Sequence, residues 1–131
     1  VRFVDLEDLL AESDYVSLHV ALTEDTRHLI GAAQLAAMKP EAVLLNGARG
    51  PVVDLDALAV ALEGGHLGGA GLDVFADEPF EADHPIKHCE QAVLTPHAAD
   101  QTPEGVDLLN GGAVDNVIAF LEGKPQNNVA V

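Results

Sequence analysis

The sequence GGAGLDVF at residues 68–75 constrains the fold more than any other stretch of this chain. Glycine and alanine leave little bulk on either face of a strand, so neighbouring helices can press close against it. We therefore predict that this stretch contains an interior strand of a buried sheet. Asp73 follows Leu72 at the end of that strand, where a carboxylate costs free energy unless something binds it. Its position indicates a functional site.

Short apolar runs alternate with helical segments along the rest of the chain. The runs are rich in β-forming residues and too short for helices, which predicts strands at residues 15–20, 42–46 and 92–95, with residues 1–4 as the remnant of another. Capping residues and one-sided apolar patterns predict helices at residues 6–11, 32–38 and 55–63, a helical turn at residues 23–26, and a longer helix after Thr102. This alternation predicts an α/β fold, with a parallel sheet wrapped by helices.

Composition limits the classes of function. Six basic residues against 22 acidic ones give a formal charge of −16, which repels phosphate backbones and anionic lipid headgroups. We therefore expect no nucleic-acid partner and no membrane partner. The acidity also motivates the hypothesis of a salt-adapted source, because strong screening makes self-repulsion tolerable. An ordinary acidic cytosolic protein is the alternative.

The length of the chain suits a single domain, and its cysteine content suits a reducing compartment. The chain has 131 residues, 48% of them hydrophobic, which is enough to bury a core. Its single cysteine, Cys89, allows no internal disulfide, and no signal-peptide pattern opens the sequence, so the cytoplasm is the expected location. Val1 is not an initiator methionine, and we expect that the start of the protein lies upstream.

Polar residues follow each predicted strand, and ligands of an open parallel sheet bind beyond the carboxyl ends of its strands. Arg49 lies in a small-residue loop that allows close approach of a ligand, and arginine can hold a carboxylate with two parallel hydrogen bonds. Alternatively, Arg49 caps a carbonyl group or pairs with a surface acid. Pro51 predicts that no helix continues after this loop.

His97 and Glu78 form the candidate acid–base pair. A lone loop histidine is more often structural, but a carboxylate beside an imidazole raises its pKa toward neutrality, which suits a general acid and base. We expect His19 to be structural. The remaining histidines lack the spacing of metal ligands, so no metal site is expected.

Three separated motifs together resemble the NAD-dependent D-isomer-specific 2-hydroxyacid dehydrogenases. The motifs are LLNGARG at residues 44–50 with Val53-Asp54, LDVF at 72–75 with Glu78-Pro79 and His84-Pro85, and LTPH at 94–97. Their order, spacing and residue types agree over nearly all of the chain. The resemblance implies the second half of a Rossmann-type dinucleotide-binding domain, NAD as cofactor, and hydride transfer between NAD(H) and a small 2-hydroxy or 2-keto acid.

The resemblance also implies residue roles. Arg49 would bind the substrate carboxylate and carbonyl, His97 would exchange the proton, and Glu78 would hold His97. Asp73 would bond the nicotinamide. The cofactor would be lined by Val20, Ala21, Thr26, Gly47, Ala48, Arg49, Asp73, His97, Ala98, Ala99 and Asp100.

The sequence also departs from the family pattern. Ala21 replaces a usual proline and Pro51 a usual glycine, and the G-x-G-x-x-G turn that anchors the dinucleotide is absent. We therefore expect the C-terminal part of a larger enzyme, with residues 1–100 completing the NAD-binding domain and residues 101–131 returning to a substrate domain.

The complete enzyme is expected to be a homodimer. A dinucleotide-sensing, corepressor-like binding protein and an inactive fragment are the alternatives. Glyoxylate, hydroxypyruvate, pyruvate and 3-phosphohydroxypyruvate all remain open as substrates.

Overall fold

The computed structural model describes residues 1–81 and 83–127. They belong to two compact units, Val1–His97 and Ala98–Val131. The predicted polar tail at residues 126–131 lies outside the described residues from position 128 onward.

A four-stranded parallel sheet forms the centre of the first unit. Its strands are β1 (Tyr15–Leu18), β2 (Val43–Asn46), β3 (Gly69–Leu72) and β4 (Ala92–Leu94), and they lie side by side in chain order. The flanking helices are α1 (Leu6–Glu12), α2 (Ala32–Ala37) and α3 (Leu55–Glu63), with 3-10 turns at Gly50–Val52 and Pro85–His88. The predicted α/β class, with a parallel sheet and helices around it, is confirmed.

The predicted interior strand lies between two neighbours. β3 pairs with β2 on one side and β4 on the other. Just before it, a Cβ on Gly68 would lie 2.4 Å from the carbonyl oxygen of Glu41, so no larger residue fits without moving the backbone. At Gly68 the small residue is therefore required by close approach of the main chain.

Helix α3 has a capped first turn and one buried face. The Asp54 side chain accepts a hydrogen bond of 3.0 Å from the Ala57 N–H and caps the first turn. Leu58 and Leu62 are fully buried one turn apart on the face toward the core. Among the described residues, the largest fully buried side chains are Leu10, Ile30, Leu35, Leu44, Val52, Leu58, Leu62 and Ile86.

Several predicted boundaries differ from the observed ones. Residues 1–4 form no strand, because a strand needs a neighbour for its backbone groups and none is present there among the described residues. β1 ends at Leu18, so His19 and Val20 follow the strand. The prediction of no helix after residues 47–50 was incomplete: Gly50–Val52 forms a 3-10 turn with Pro51 in its first turn, where proline fits.

The second unit contains one long helix, α4 (Pro103–Leu121). The Thr102 hydroxyl accepts a 3.0 Å hydrogen bond from the Gly105 N–H and caps the helix. No residue of α4 is buried. Its large exposed apolar side chains are Val106, Leu108, Leu109, Val114, Val117, Ile118, Phe120 and Leu121.

Candidate active site

The polar residues singled out in the sequence cluster at one edge of the sheet. His19 follows β1, the loop at residues 47–49 follows β2, and Asp73 follows β3. His97 comes three residues after the end of β4. Because all four strands are parallel, their carboxyl ends meet at this edge, where open α/β sheets bind ligands.

His97 and Glu78 form a hydrogen-bonded pair at this edge. His97 Nδ1 lies 2.8 Å from Glu78 Oε2, and the N–H of Phe75 donates to Glu78 Oε1 at 3.0 Å. The hydrogen bond to Glu78 raises the pKa of His97 above its usual value, and the same bond lowers the pKa of Glu78. The pair is partly exposed, with 48% of the His97 side chain and 38% of the Glu78 side chain accessible. Because Nδ1 is hydrogen-bonded to Glu78, Nε2 is the ring nitrogen that can exchange a proton with a ligand.

The backbone of His97 is in a left-handed conformation. Its φ is +54°, a region that a residue with a side chain rarely adopts. Such a conformation costs roughly 1–3 kcal/mol and is found disproportionately at functional sites. The surrounding structure therefore holds the His97 backbone in an unfavourable conformation, and this conformation sets the position of the imidazole.

Arg49 lines a cavity of about 250 Å³ together with Glu78 and His97. Its Nη1 donates to the Ala48 carbonyl at 2.6 Å. An arginine has five N–H donors, so this bond leaves others for an anion. The cavity also contains Leu22, which sequence reasoning missed because an aliphatic residue in a loop carries no chemical signal.

The Asp73 carboxylate accepts a hydrogen bond from the residue that directly follows the neighbouring strand β4. The Thr95 hydroxyl donates to Asp73 Oδ1 at 2.5 Å. Sequence reasoning predicted that Asp73 needs a partner but did not find Thr95. The available signal was the LTPH motif, which puts a hydroxyl directly after the strand that neighbours β3.

A second cavity, of about 510 Å³, adjoins the first and shares Arg49 and Leu22 with it. Five predicted cofactor-binding residues line it, together with His19: these are Val20, Ala21, Gly47, Ala48 and Arg49. His19 was expected to be structural, and its Nε2 lies 2.9 Å from the Ser17 hydroxyl.

The remaining predicted cofactor residues lie elsewhere. Thr26 does not line either of these two cavities, but its hydroxyl donates at 2.7 Å to the carbonyl of Ala21, which lines the second one. Ala98, Ala99 and Asp100 belong to the second unit, ahead of α4. There the Ala98 carbonyl accepts a 3.0 Å hydrogen bond from the N–H of Gln101.

The part of the chain that the structure describes has neither a metal-binding cluster nor a membrane-spanning helix. Residues 1–81 and 83–127 contain no group of three or more His, Cys, Asp or Glu side chains arranged to hold a metal ion. No helix within these ranges has the length and apolar character needed to cross a membrane.

Fold and site together define a Rossmann-type α/β domain that carries an imidazole–carboxylate pair and an arginine at its ligand-binding edge. Residues 1–99 match the D-isomer specific 2-hydroxyacid dehydrogenase NAD binding domain. The chain belongs to that family.

Similar proteins include a glyoxylate reductase from Korarchaeum cryptofilum, 49% identical over 129 residues, which are 98% of this chain and 39% of that protein. A glyoxylate/hydroxypyruvate reductase B from Shigella boydii is 46% identical over 127 residues, 97% of this chain and 39% of that protein. A glyoxylate reductase crystal structure from Paecilomyes thermophila has a TM-score of 0.90 at 37% identity, covering 96% of this chain and 38% of that one. The chain thus spans about two fifths of the length of these relatives.

Proposed function

We propose that the complete protein catalyses reversible hydride transfer between NAD(H) and a small 2-hydroxy or 2-keto acid. One observation carries this proposal: Arg49 shares a cavity with a histidine that is hydrogen-bonded to a carboxylate, and His97 Nδ1 lies 2.8 Å from Glu78 Oε2. An anion-binding group beside a proton donor is the arrangement that reduction of a 2-keto acid requires.

In the proposed reaction, Arg49 holds the substrate carboxylate with two of its N–H groups. NADH, when bound, would supply the hydride that the carbonyl carbon accepts. His97 donates the proton on Nε2 to the carbonyl oxygen, so that the ketone becomes a hydroxyl group. Glu78 stabilises the protonated imidazole before transfer and keeps its ring oriented. In the reverse direction, neutral His97 accepts the proton from the hydroxy acid.

The residues present fit the nicotinamide end of the cofactor. Part of the second cavity is lined by small and aliphatic side chains, Val20, Ala21 and Leu22, which suit the face of a flat ring. Asp73, held by Thr95, offers a carboxylate oxygen to an amide N–H. We propose Val20, Ala21, Thr26, Gly47, Ala48, Arg49, Asp73, His97, Ala98, Ala99 and Asp100 as the cofactor contacts.

The names of the relatives narrow the substrate proposal. The two curated relatives described above are named for reduction of glyoxylate, one of them also of hydroxypyruvate. We therefore propose that glyoxylate and hydroxypyruvate are the first substrates to test. Pyruvate and 3-phosphohydroxypyruvate complete the panel.

We also propose a domain organisation and a location. Residues 1–100 form the C-terminal half of the NAD-binding domain in this proposal, and residues 101–131 return to a substrate domain. The exposed apolar side chains of α4 support contact with further protein, including a homodimer partner. A single buried free cysteine is in keeping with the cytoplasm, and a net charge of −16 disfavours nucleic acid as a partner.

The test is oxidation of NADH and of NADPH by the full-length protein with each keto acid of the panel. We expect turnover with glyoxylate or hydroxypyruvate that disappears when His97 is replaced by Asn. Micromolar NADH binding without turnover on any of the four acids would refute the enzyme proposal and favour the dinucleotide-sensing alternative.

A further inference from the structure

Asn46 is the polar residue that the core encloses. It ends β2, and only 2% of its surface is accessible, which makes it the one polar residue among the buried residues of the described chain. A buried amide costs free energy unless its donor and acceptor are both used. At this position a leucine or valine would extend the apolar strand at no such cost, so the amide calls for an explanation.

Both ends of the Asn46 amide bond to the loop that carries Arg49. Oδ1 accepts a hydrogen bond of 3.0 Å from the N–H of Ala48, and Nδ2 donates one of 3.0 Å to the carbonyl of Arg49 itself. The two bonds close the loop over the end of β2. The backbone of Arg49 is thereby tied to a side chain that is anchored in the sheet.

The other residues of the loop do not explain its shape. A Cβ on Gly47 would meet nothing within 4 Å, and its φ is not in the left-handed region, so the backbone there does not require glycine. On the far side of Arg49, a Cβ on Gly50 would lie 2.0 Å from the backbone carbon of Phe75. The loop is thus held by the Asn46 amide before Arg49 and by main-chain contact after it.

We propose that Asn46 is a positioning residue for Arg49. Its amide fixes the backbone from which the guanidinium enters the cavity shared with Glu78 and His97. Asn46 touches neither substrate nor cofactor in this role, and acts through Arg49 alone. The inference rests on the proposed function for its catalytic consequence, because that function gives Arg49 its task.

A double-mutant cycle in the full-length protein tests the catalytic consequence. Asn46→Asp preserves size and the acceptor for Ala48 but removes the donor to the Arg49 carbonyl. We expect a fall of about tenfold or more in kcat/KM for glyoxylate, with the KM for NADH within about twofold of wild type. In an Arg49→Lys background, the same change should lower kcat/KM by less than about twofold, because its effect is already lost. Equal effects in the two backgrounds would overturn the inference.

A control separates positioning from general destabilisation. Leu58 is fully buried in α3 and lies in neither cavity of the site. Leu58→Ala should lower the melting temperature at least as much as Asn46→Asp while leaving kcat/KM for glyoxylate unchanged below the transition. An equal loss of kcat/KM in both variants would assign Asn46 to stability alone and overturn the inference.

A measurement without substrate keeps the inference testable if the proposed function fails. Hydrogen–deuterium exchange of the loop at residues 46–50 reports the Ala48 N–H, which bonds to Asn46 Oδ1. Asn46→Ala should speed exchange of this amide by about tenfold or more, with the amides of β1 unchanged. Unchanged exchange in the loop of Asn46→Ala would overturn the inference. If this variant shows the expected faster exchange but the wild type does not turn over any keto acid, only the proposed function is refuted.

Discussion

Arg49 lines its cavity from the loop that follows β2. Arg49→Lys keeps the charge, but an ammonium group cannot make the planar two-point contact with a carboxylate. We expect kcat/KM for the keto acid to fall by about 10²-fold, the scale of losing one charged hydrogen bond in a closed site. Steady-state kinetics of the full-length variant measure this. Near-wild-type efficiency would remove Arg49 from substrate binding.

Glu78 controls the pH range in which His97 can donate a proton. The hydrogen bond to Glu78 raises the pKa of His97, so the protonated imidazole persists to higher pH than in a free histidine. Glu78→Gln removes that effect and lowers the pKa of His97. The limb on which keto-acid reduction is lost with rising pH should therefore move to lower pH, and the limb on which hydroxy-acid oxidation appears should move the same way.

The check is a pair of pH–rate profiles, for reduction and for oxidation. His97→Asn serves as the reference variant, since it should abolish the chemical step at every pH. A Glu78 variant that is inactive at all pH values, with no shift of either limb, would point to a direct substrate contact for Glu78 instead.

Individual residues differ in how far the sequence could reveal them. The motifs made Arg49, Glu78 and His97 candidates, and the structure brings all three to one cavity. Leu22, Thr95 and the amide of Asn46 were missed. The roles of these three residues depend on contacts across strands or turns, such as the hydrogen bond from Thr95 to Asp73, and no local sequence pattern encodes such contacts.

At the scale of elements, Gly50 is the residue at which the loop after β2 packs closely against the chain after β3. Gly50→Ala would put a methyl group 2.0 Å from the backbone carbon of Phe75, and backbone atoms cannot rotate away. We expect a loss of about 1–3 kcal/mol in the free energy of unfolding, as in other overpacked sites. Catalytic activity should fall as well, because Phe75 holds Glu78 through its N–H.

Denaturant unfolding measures this, with Gly111→Ala as the matched control. Gly111 lies inside α4, and a Cβ there would meet nothing within 4 Å. Alanine in a helix interior is favoured over glycine, so this variant should gain roughly 0.5–1 kcal/mol. If the two alanine variants had equal free energies of unfolding, the prediction that the close approach at Gly50 excludes a larger residue would be wrong.

Element types were predictable and their ends were not. Periodicity and caps identified the helix after Asp54 and the one after Thr102, and both begin where predicted. The strand predicted at residues 15–20 ends at Leu18, because pairing with β2 stops at Asn46. Strand ends depend on the partner strand, which the local sequence does not contain.

At the scale of the whole chain, the formal charge of −16 predicts that the melting temperature depends on salt. If the source is salt-adapted, screening by KCl should relieve repulsion among the acidic side chains and raise the melting temperature steadily. Thermal unfolding across a KCl series measures this. A midpoint that stays level or falls as KCl increases would contradict the hypothesis of salt adaptation.

The 131-residue chain by itself should bind NADH poorly. A dinucleotide is anchored mainly by a glycine-rich turn at a helix N-terminus and by an acidic residue on the ribose, and this sequence has no such turn. We expect an affinity in the millimolar range or weaker, a thousandfold or about 4 kcal/mol below a micromolar site. A fluorescence titration of the isolated chain that gives micromolar binding would contradict this expectation.

The order of the strands bears on how the first unit is made on the ribosome. Each of the strands β2, β3 and β4 pairs with the strand synthesised just before it. No strand of this sheet has to wait for a partner that emerges several elements later, so short-range pairing can proceed as the chain lengthens. The edge that gathers Arg49, Glu78 and His97 is completed only when the last of these strands has been translated.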